Sequence, residues 1–102
     1  MKKINFYIGL NDKESKIQEI STVEAFKIVQ KTAINLFGGG TIYECSGIYT
    51  HDNGEIVEEK SLKLEVINPD NTKTIEFIHI IKTVLNQESI LKTEENINFE
   101  YV

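Results

Sequence analysis

Residues Gly38 to Val66, GGGTIYECSGIYTHDNGEIVEEKSLKLEV, constrain the fold of this chain more than any other stretch. A glycine helix stop leads into two runs rich in β-formers, joined through His51-Asp52-Asn53-Gly54, where Asn and Gly tolerate the positive φ of a tight hairpin turn. A β-α segment precedes this hairpin and an α-β segment follows it. The chain therefore spells β-α-β-β-α-β, which predicts the α+β class: an antiparallel sheet with two helices on one face and room for an extra C-terminal strand.

The flanking segments carry their own signals. Ile4, Phe6, Ile8 and Leu10 alternate as one buried face of a first strand, with Asn5 and Tyr7 opposite. Asn11 to Glu19 is polar and loop-like. Ser21-Thr22-Val23-Glu24 has the spacing of a capping box, opening a helix with Val23, Phe26, Val29, Ala33 and Phe37 as its apolar stripe. Leu62, Leu64 and Val66 alternate in the second hairpin strand. Carried backward, their parity puts Lys60 and Glu58 on the leucine face, which predicts a bulge near Glu59 or a hairpin tip projecting beyond the core. Asn68-Pro69-Asp70-Asn71 ends that strand and caps a second helix carrying Phe77, Ile78, Ile81 and Leu85 and stopping near Asn86. Ile90-Leu91 and then Ile97, Phe99 and Tyr101 read as one or two closing strands separated by Glu94-Glu95-Asn96. Phe6, Phe26, Val29, Leu64, Phe77, Ile81 and Phe99 are predicted to share one core.

A length of 102 residues suits a single domain over 1–102 that buries a core without disulfides or a structural metal. The formal charge of -5 provides no basic stripe for phosphate neutralisation, so nucleic acid is not expected as a partner. No apolar run approaches the roughly 18 residues of a membrane span, and MKKINFYIGL reads as a strand rather than a secretion signal. The single cysteine, Cys45, cannot form an internal disulfide. It is compatible with a reducing compartment, and the expected location is cytoplasmic.

The element order is that of the ferredoxin-like split β-α-β fold. Gly40-Thr41-Ile42-Tyr43-Glu44, Gly47, Leu62-Lys63-Leu64-Glu65-Val66-Ile67 and Gln87-Glu88-Ser89-Ile90-Leu91 resemble corresponding segments of PII-type and ACT-type ligand-sensing domains. They also resemble a family of small bacterial and phage proteins known only as a domain of unknown function. The PII resemblance implies oligomers that bind nucleotides between subunits. The chain departs from that pattern in its short hairpin tip and in lacking a Gly-Asp-Gly-Lys-type phosphate loop.

Individual residues give weaker chemical signals. Gly38-Gly39-Gly40 follows a helix instead of leading from a strand into one, so it suits a helix stop better than a phosphate loop. His51 and His79 stand in no metal-like spacing, and His79 falls on the polar side of its helix. Cys45 is expected to be a buried structural thiol. Glu44, Glu58 and Glu59 offer a carboxylate pair across the hairpin. Tyr43, Cys45, Gly47 and Tyr49 share one parity, so two rings and two small residues would line one sheet face.

These signals identify no catalytic residue, metal ligand or cofactor. The expected ligand or partner surface comprises Gly39, Tyr43, Tyr49, His51, Glu59 and Gln87. Glycine permits close backbone approach there, the tyrosines offer stacking surfaces, and the polar groups can orient a ligand. The function expected is non-enzymatic sensing or sequestering of a small ligand, including a nucleotide, by a homo-oligomer. The alternative is a phage-type interaction protein or inhibitor whose hairpin or edge strand docks to a host protein.

Overall fold

A computed structural model describes residues 1–102. The elements are β1 (Lys2–Gly9), α1 (Thr22–Phe37), β2 (Thr41–Thr50), β3 (Ile56–Ile67), α2 (Asn71–Val84) and β4 (Leu91–Asn96). All strands are antiparallel to their neighbours, in the order β2-β3-β1-β4, and this is the ferredoxin-like arrangement.

Local chemistry sets the element ends. Ser21 Oγ accepts a hydrogen bond from the Glu24 amide at 3.1 Å and starts α1. Gly38, at φ 79°, stops it with a left-handed turn. The Asp70 carboxylate accepts from the amides of Thr72 and Lys73 at the start of α2, and Asn86 turns the chain out of that helix at φ 48°. The hairpin loop closes with the His51 amide on Glu55 O at 2.9 Å and Gly54 at φ 84°.

The core lies between the helices and one face of the sheet. Phe6 and Phe77 are fully buried with centroids 4.7 Å apart, and Phe37 completes the ring cluster at 5.5 Å from Phe77. Val29, Leu64 and Ile81 join them as predicted. In the α1 stripe Val29 and Ala33 are buried and Phe37 packs on the core as predicted, but Ala25 takes the inner place expected of Val23, which is 64% exposed, and Phe26 packs at the margin. Two alanines on the inner face bring the helix backbone close to its neighbours, which leaves the bulkier residues at the flank. Phe99 is not in the core. It lies beyond β4, outside any strand, with its ring 5.7 Å from that of Tyr101.

β4, LKTEEN, starts at the expected Leu91 but runs through Glu94-Glu95-Asn96, the stretch expected to separate two closing strands. As an edge strand it needs no apolar inner face of its own, and β1 supplies cations opposite its acids: Lys2 Nζ lies 3.0 Å from Glu94 and Lys3 Nζ 3.7 Å from Glu95. Past Asn96 the ladder continues by one bond, from the Ile97 amide to Met1 O.

The hairpin contains no bulge. β2 and β3 pair without interruption from Thr41↔Glu65 to Thr50↔Ile56, while β1 covers β3 only from Ser61 to Ile67. Ser46–Thr50 and Ile56–Lys60 thus leave the sheet as a two-stranded arm, and the molecule is 47 Å long but only 24 Å across. This projecting tip places Glu58 and Lys60 on the leucine parity with no core beneath them. Cys45 is exposed, contrary to its expected burial, because β2 is an edge strand and its odd-numbered residues face away from the helices.

Candidate functional site

The helix-free face of the sheet holds a cleft of about 720 Å³ at the corner where the arm departs. Tyr7 and Gly9 of β1 form its floor. Tyr49 and His51 from the end of β2, with Glu59 and Ser61 of β3, make one wall. The opposite wall comes from the β1–α1 loop and from Gln87, Glu88 and Ser89 before β4.

Four of the six expected surface residues therefore meet: Tyr49, His51, Glu59 and Gln87. The Tyr49 and His51 rings stand edge to face, 5.8 Å between centroids. Gly39 does not join them. It borders hollows at the far end of the sheet, beside Phe37 and Ile42, because β2 carries the chain along the sheet away from α1. Tyr43 lies on the same face as Tyr49 but outside the cleft, donating its hydroxyl to Glu65 at 3.1 Å. Lys63 sits between Tyr43 and Tyr7, 5.6 and 5.4 Å from the ring centroids. Glu44 and Glu58 share the helix-side parity but stand four ladder positions apart, both exposed, and Glu59 faces the cleft, so the three carboxylates form no pair across the hairpin.

Gln87 is a structural tie. It is buried, and its Nε2 donates to Asn11 O at 2.7 Å and Leu85 O at 3.2 Å. Asn86 reinforces the same junction, donating from Nδ2 to Asp12 Oδ2 at 2.7 Å while its carbonyl accepts from the Lys13 amide. Asp12 Oδ1 accepts from the amides of Glu14 and Ser15, and these bonds, led by that from Asn86, hold the Asp12 carboxyl below its ordinary pKa. The polar loop between β1 and α1 is thereby held as a cleft wall.

The cleft combines two rings, Tyr7 and Tyr49, with cations at Lys13 and Lys16 and carboxylates at Glu59 and Glu88. Glu59 Oε2 accepts from the Asn11 amide at 2.8 Å and the side chain forms no ion pair. No group of three or more His, Cys, Asp or Glu residues is placed to hold a metal ion. Tyr7, Gly9, Asn11, Lys13 and Lys16 were absent from the expected surface. The only sequence signal for Tyr7 was its place on the polar parity of β1, and the loop residues carried none.

Solved structures with the same architecture are known. A phage SAM lyase in complex with S-methyl-5'-thioadenosine superposes with a TM-score of 0.69, covering 92% of this chain and 79% of that one at 15% identity. The shared property is the fold. A divalent cation tolerance protein, CutA1, from Thermus thermophilus matches over 99% of this chain and 88% of its own at 15% identity, with a TM-score of 0.63. A DUF3240 family protein from Shewanella baltica matches over 99% and 94% at 10% identity, with a TM-score of 0.55. This chain is thus a small ferredoxin-like domain whose fold neighbours include CutA1 proteins, a phage protein and a family of unknown function. No protein-family model matches the sequence, and no curated protein is similar to it. No helix is long and apolar enough to cross a membrane.

Proposed function

We propose that this protein binds a small amino-acid-bearing nucleoside of the S-adenosylmethionine class in the cleft beside the arm, and acts by sensing or sequestering it. The observation that carries this reading is the composition of the cleft. The exposed Tyr49 ring and the half-buried Tyr7 ring suit a flat base, Lys13 and Lys16 suit a carboxylate, and Glu59 and Glu88 suit an ammonium or sulfonium centre. Its volume falls in the range of small-molecule sites, about 300–1,000 Å³. The phage SAM lyase of the same fold, which holds S-methyl-5'-thioadenosine, supports this ligand class. Calorimetric titration with S-adenosylmethionine tests the reading. Saturable binding that is lost on Tyr49→Ala supports it, and no heat at near-millimolar ligand overturns it.

A second reading, in which the bound sulfonium is also cleaved, is favoured by the unpaired Glu59 carboxylate in the cleft. In that step water, losing its proton to Glu59, bonds to the γ-carbon of the aminobutyryl chain as the carbon–sulfur bond breaks with its electron pair going to sulfur, releasing S-methyl-5'-thioadenosine and homoserine. Chromatographic detection of S-methyl-5'-thioadenosine during incubation separates turnover from sequestration.

We also propose that a second copy of the chain covers the arm. Isolated two-stranded hairpins are marginal in water, and Ile48 and Ile56 on this one are each 76% exposed. A homo-oligomer would bury them and bring a neighbouring subunit toward the cleft wall that Tyr49 and His51 provide.

A further inference from the structure

We infer that Gly9 is a positioning residue for the cleft: its missing side chain is the seat of the Glu59 carboxylate, and that seat fixes the charge selectivity of the site. The inference rests on the ligand class proposed above and adds how the site distinguishes a sulfonium from its neutral thioether.

A Cβ built on Gly9 would lie 2.6 Å from Glu59 Oε1, 2.7 Å from Cδ and 2.7 Å from Oε2. Glu59 is two residues from Ser61, the partner of Gly9 in the β1–β3 ladder, so both face the helix-free side and the glutamate leans across the glycine. With no side chain in the way, the carboxylate lies flat on the β1 backbone. Oε2 accepts from the amide of Asn11, the second residue after β1, at 2.8 Å. Oε1 accepts no hydrogen bond from the protein, which leaves it as the acceptor that a cationic ligand would meet.

Backbone geometry does not explain the glycine. Gly9 is the last residue of β1, still paired with Ser61, and has no left-handed φ, unlike Gly38 and Gly54. An alanine there fits the backbone and suits a strand better than glycine does. The only obstacle is the far end of a flexible side chain, which an added methyl would push aside at small cost to the fold. Gly9→Ala is thus expected to move one carboxylate and little else.

Three variants, Gly9→Ala, Glu59→Gln and the double variant, are titrated calorimetrically with S-adenosylmethionine and S-methyl-5'-thioadenosine, and the Asn11 amide is followed by NMR. Gly9→Ala should keep the wild-type melting temperature or exceed it. Its affinity for S-adenosylmethionine should fall about tenfold, with less than about a twofold change for the neutral thioether, as expected when one charge-assisted contact is lost. The double variant should bind no more weakly than Glu59→Gln alone, since both changes remove one interaction. Additive losses, or undiminished preference for the sulfonium in Gly9→Ala, would overturn the inference. The Asn11 amide resonance gives a readout that needs no ligand: it should move upfield in Gly9→Ala and the double variant, and less in Glu59→Gln, whose amide oxygen still accepts. An unmoved amide in Gly9→Ala overturns the seat itself. If neither nucleoside binds wild-type protein, the ligand reading fails while the amide still decides whether Gly9 seats Glu59.

Discussion

Asn86 Nδ2 donates to Asp12 Oδ2 at 2.7 Å, joining the turn after α2 to the loop after β1 across 74 residues of sequence. Asn86 also holds a left-handed backbone at φ 48°, a conformation that Asn tolerates and Ala does not. Asn86→Ala should therefore lose both the bond and the favourable backbone, costing about 1–3 kcal/mol, whereas Asn86→Gly keeps the backbone and should cost less. Urea denaturation of the two variants measures the difference. Equal losses would mean that the backbone conformation contributes nothing.

In the core, Phe77 is fully buried between Phe6 and Phe37, while Phe99 lies outside the cluster. Phe77→Ala should destabilise the fold by about 3–5 kcal/mol. Phe99→Ala should cost less than about 1 kcal/mol. Chemical denaturation showing the reverse order would place the C-terminal tail in the core.

Acid stability follows from three carboxyls. Asp12 lies below the ordinary 3.8 through hydrogen bonds led by that from Asn86, and Glu94 lies below 4.5 through Lys2. Burial pushes Glu65 upward, but Lys63, Tyr43 and Lys3 outweigh it and hold the group below 4.5. A depressed folded-state pKa means that the unfolded chain binds more protons in that window. The stabilisation is complete above the ordinary values and is lost as pH falls through the folded ones. Melting temperature should thus show little contribution from these groups above about pH 5 and decline below 4.5, with a shallower decline in Asp12→Asn. An unchanged slope in that variant would show that its bonds do not differ between the folded and unfolded states.

Tyr49 lines the cleft and Tyr43 does not, although both are about half exposed on one face. Tyr49→Ala should weaken S-adenosylmethionine binding by at least about 1 kcal/mol, and Tyr43→Ala should leave it unchanged. Calorimetry on both folded variants checks this. Equal losses would shift the site toward Lys63.

Light scattering should report a mass at least twice the monomer's 11.7 kDa, with dissociation favoured by Ile48→Lys on the arm. A strictly monomeric species from micromolar to near-millimolar concentration would remove the second copy from the account.

The sequence by itself determined the element order, the hairpin turn and the helix ends, because these depend on neighbours within a few residues. Ser21 with Glu24, Gly38, Asp70, Asn86 and Gly54 act through local backbone bonds and φ preferences. The inner faces of β1 and β3 were legible for the same reason, since a period of two fixes parity once the strand is known. Tertiary structure decided what depends on distance. LKTEEN is a strand because β1 supplies its partner and its lysines, and Ala25 and Ala33 outrank Phe26 in the core because helix approach, not side-chain hydrophobicity, selects the buried face. The cleft was half legible: Tyr49 and Glu59 share a hairpin parity, but Gly9, Asn11 and Lys13 reach them only through β1–β3 pairing and the Asn86 and Gln87 ties. Gly39 and Tyr43 fell away for the same reason, since ten residues of extended β2 carry the chain from one end of the sheet to the other.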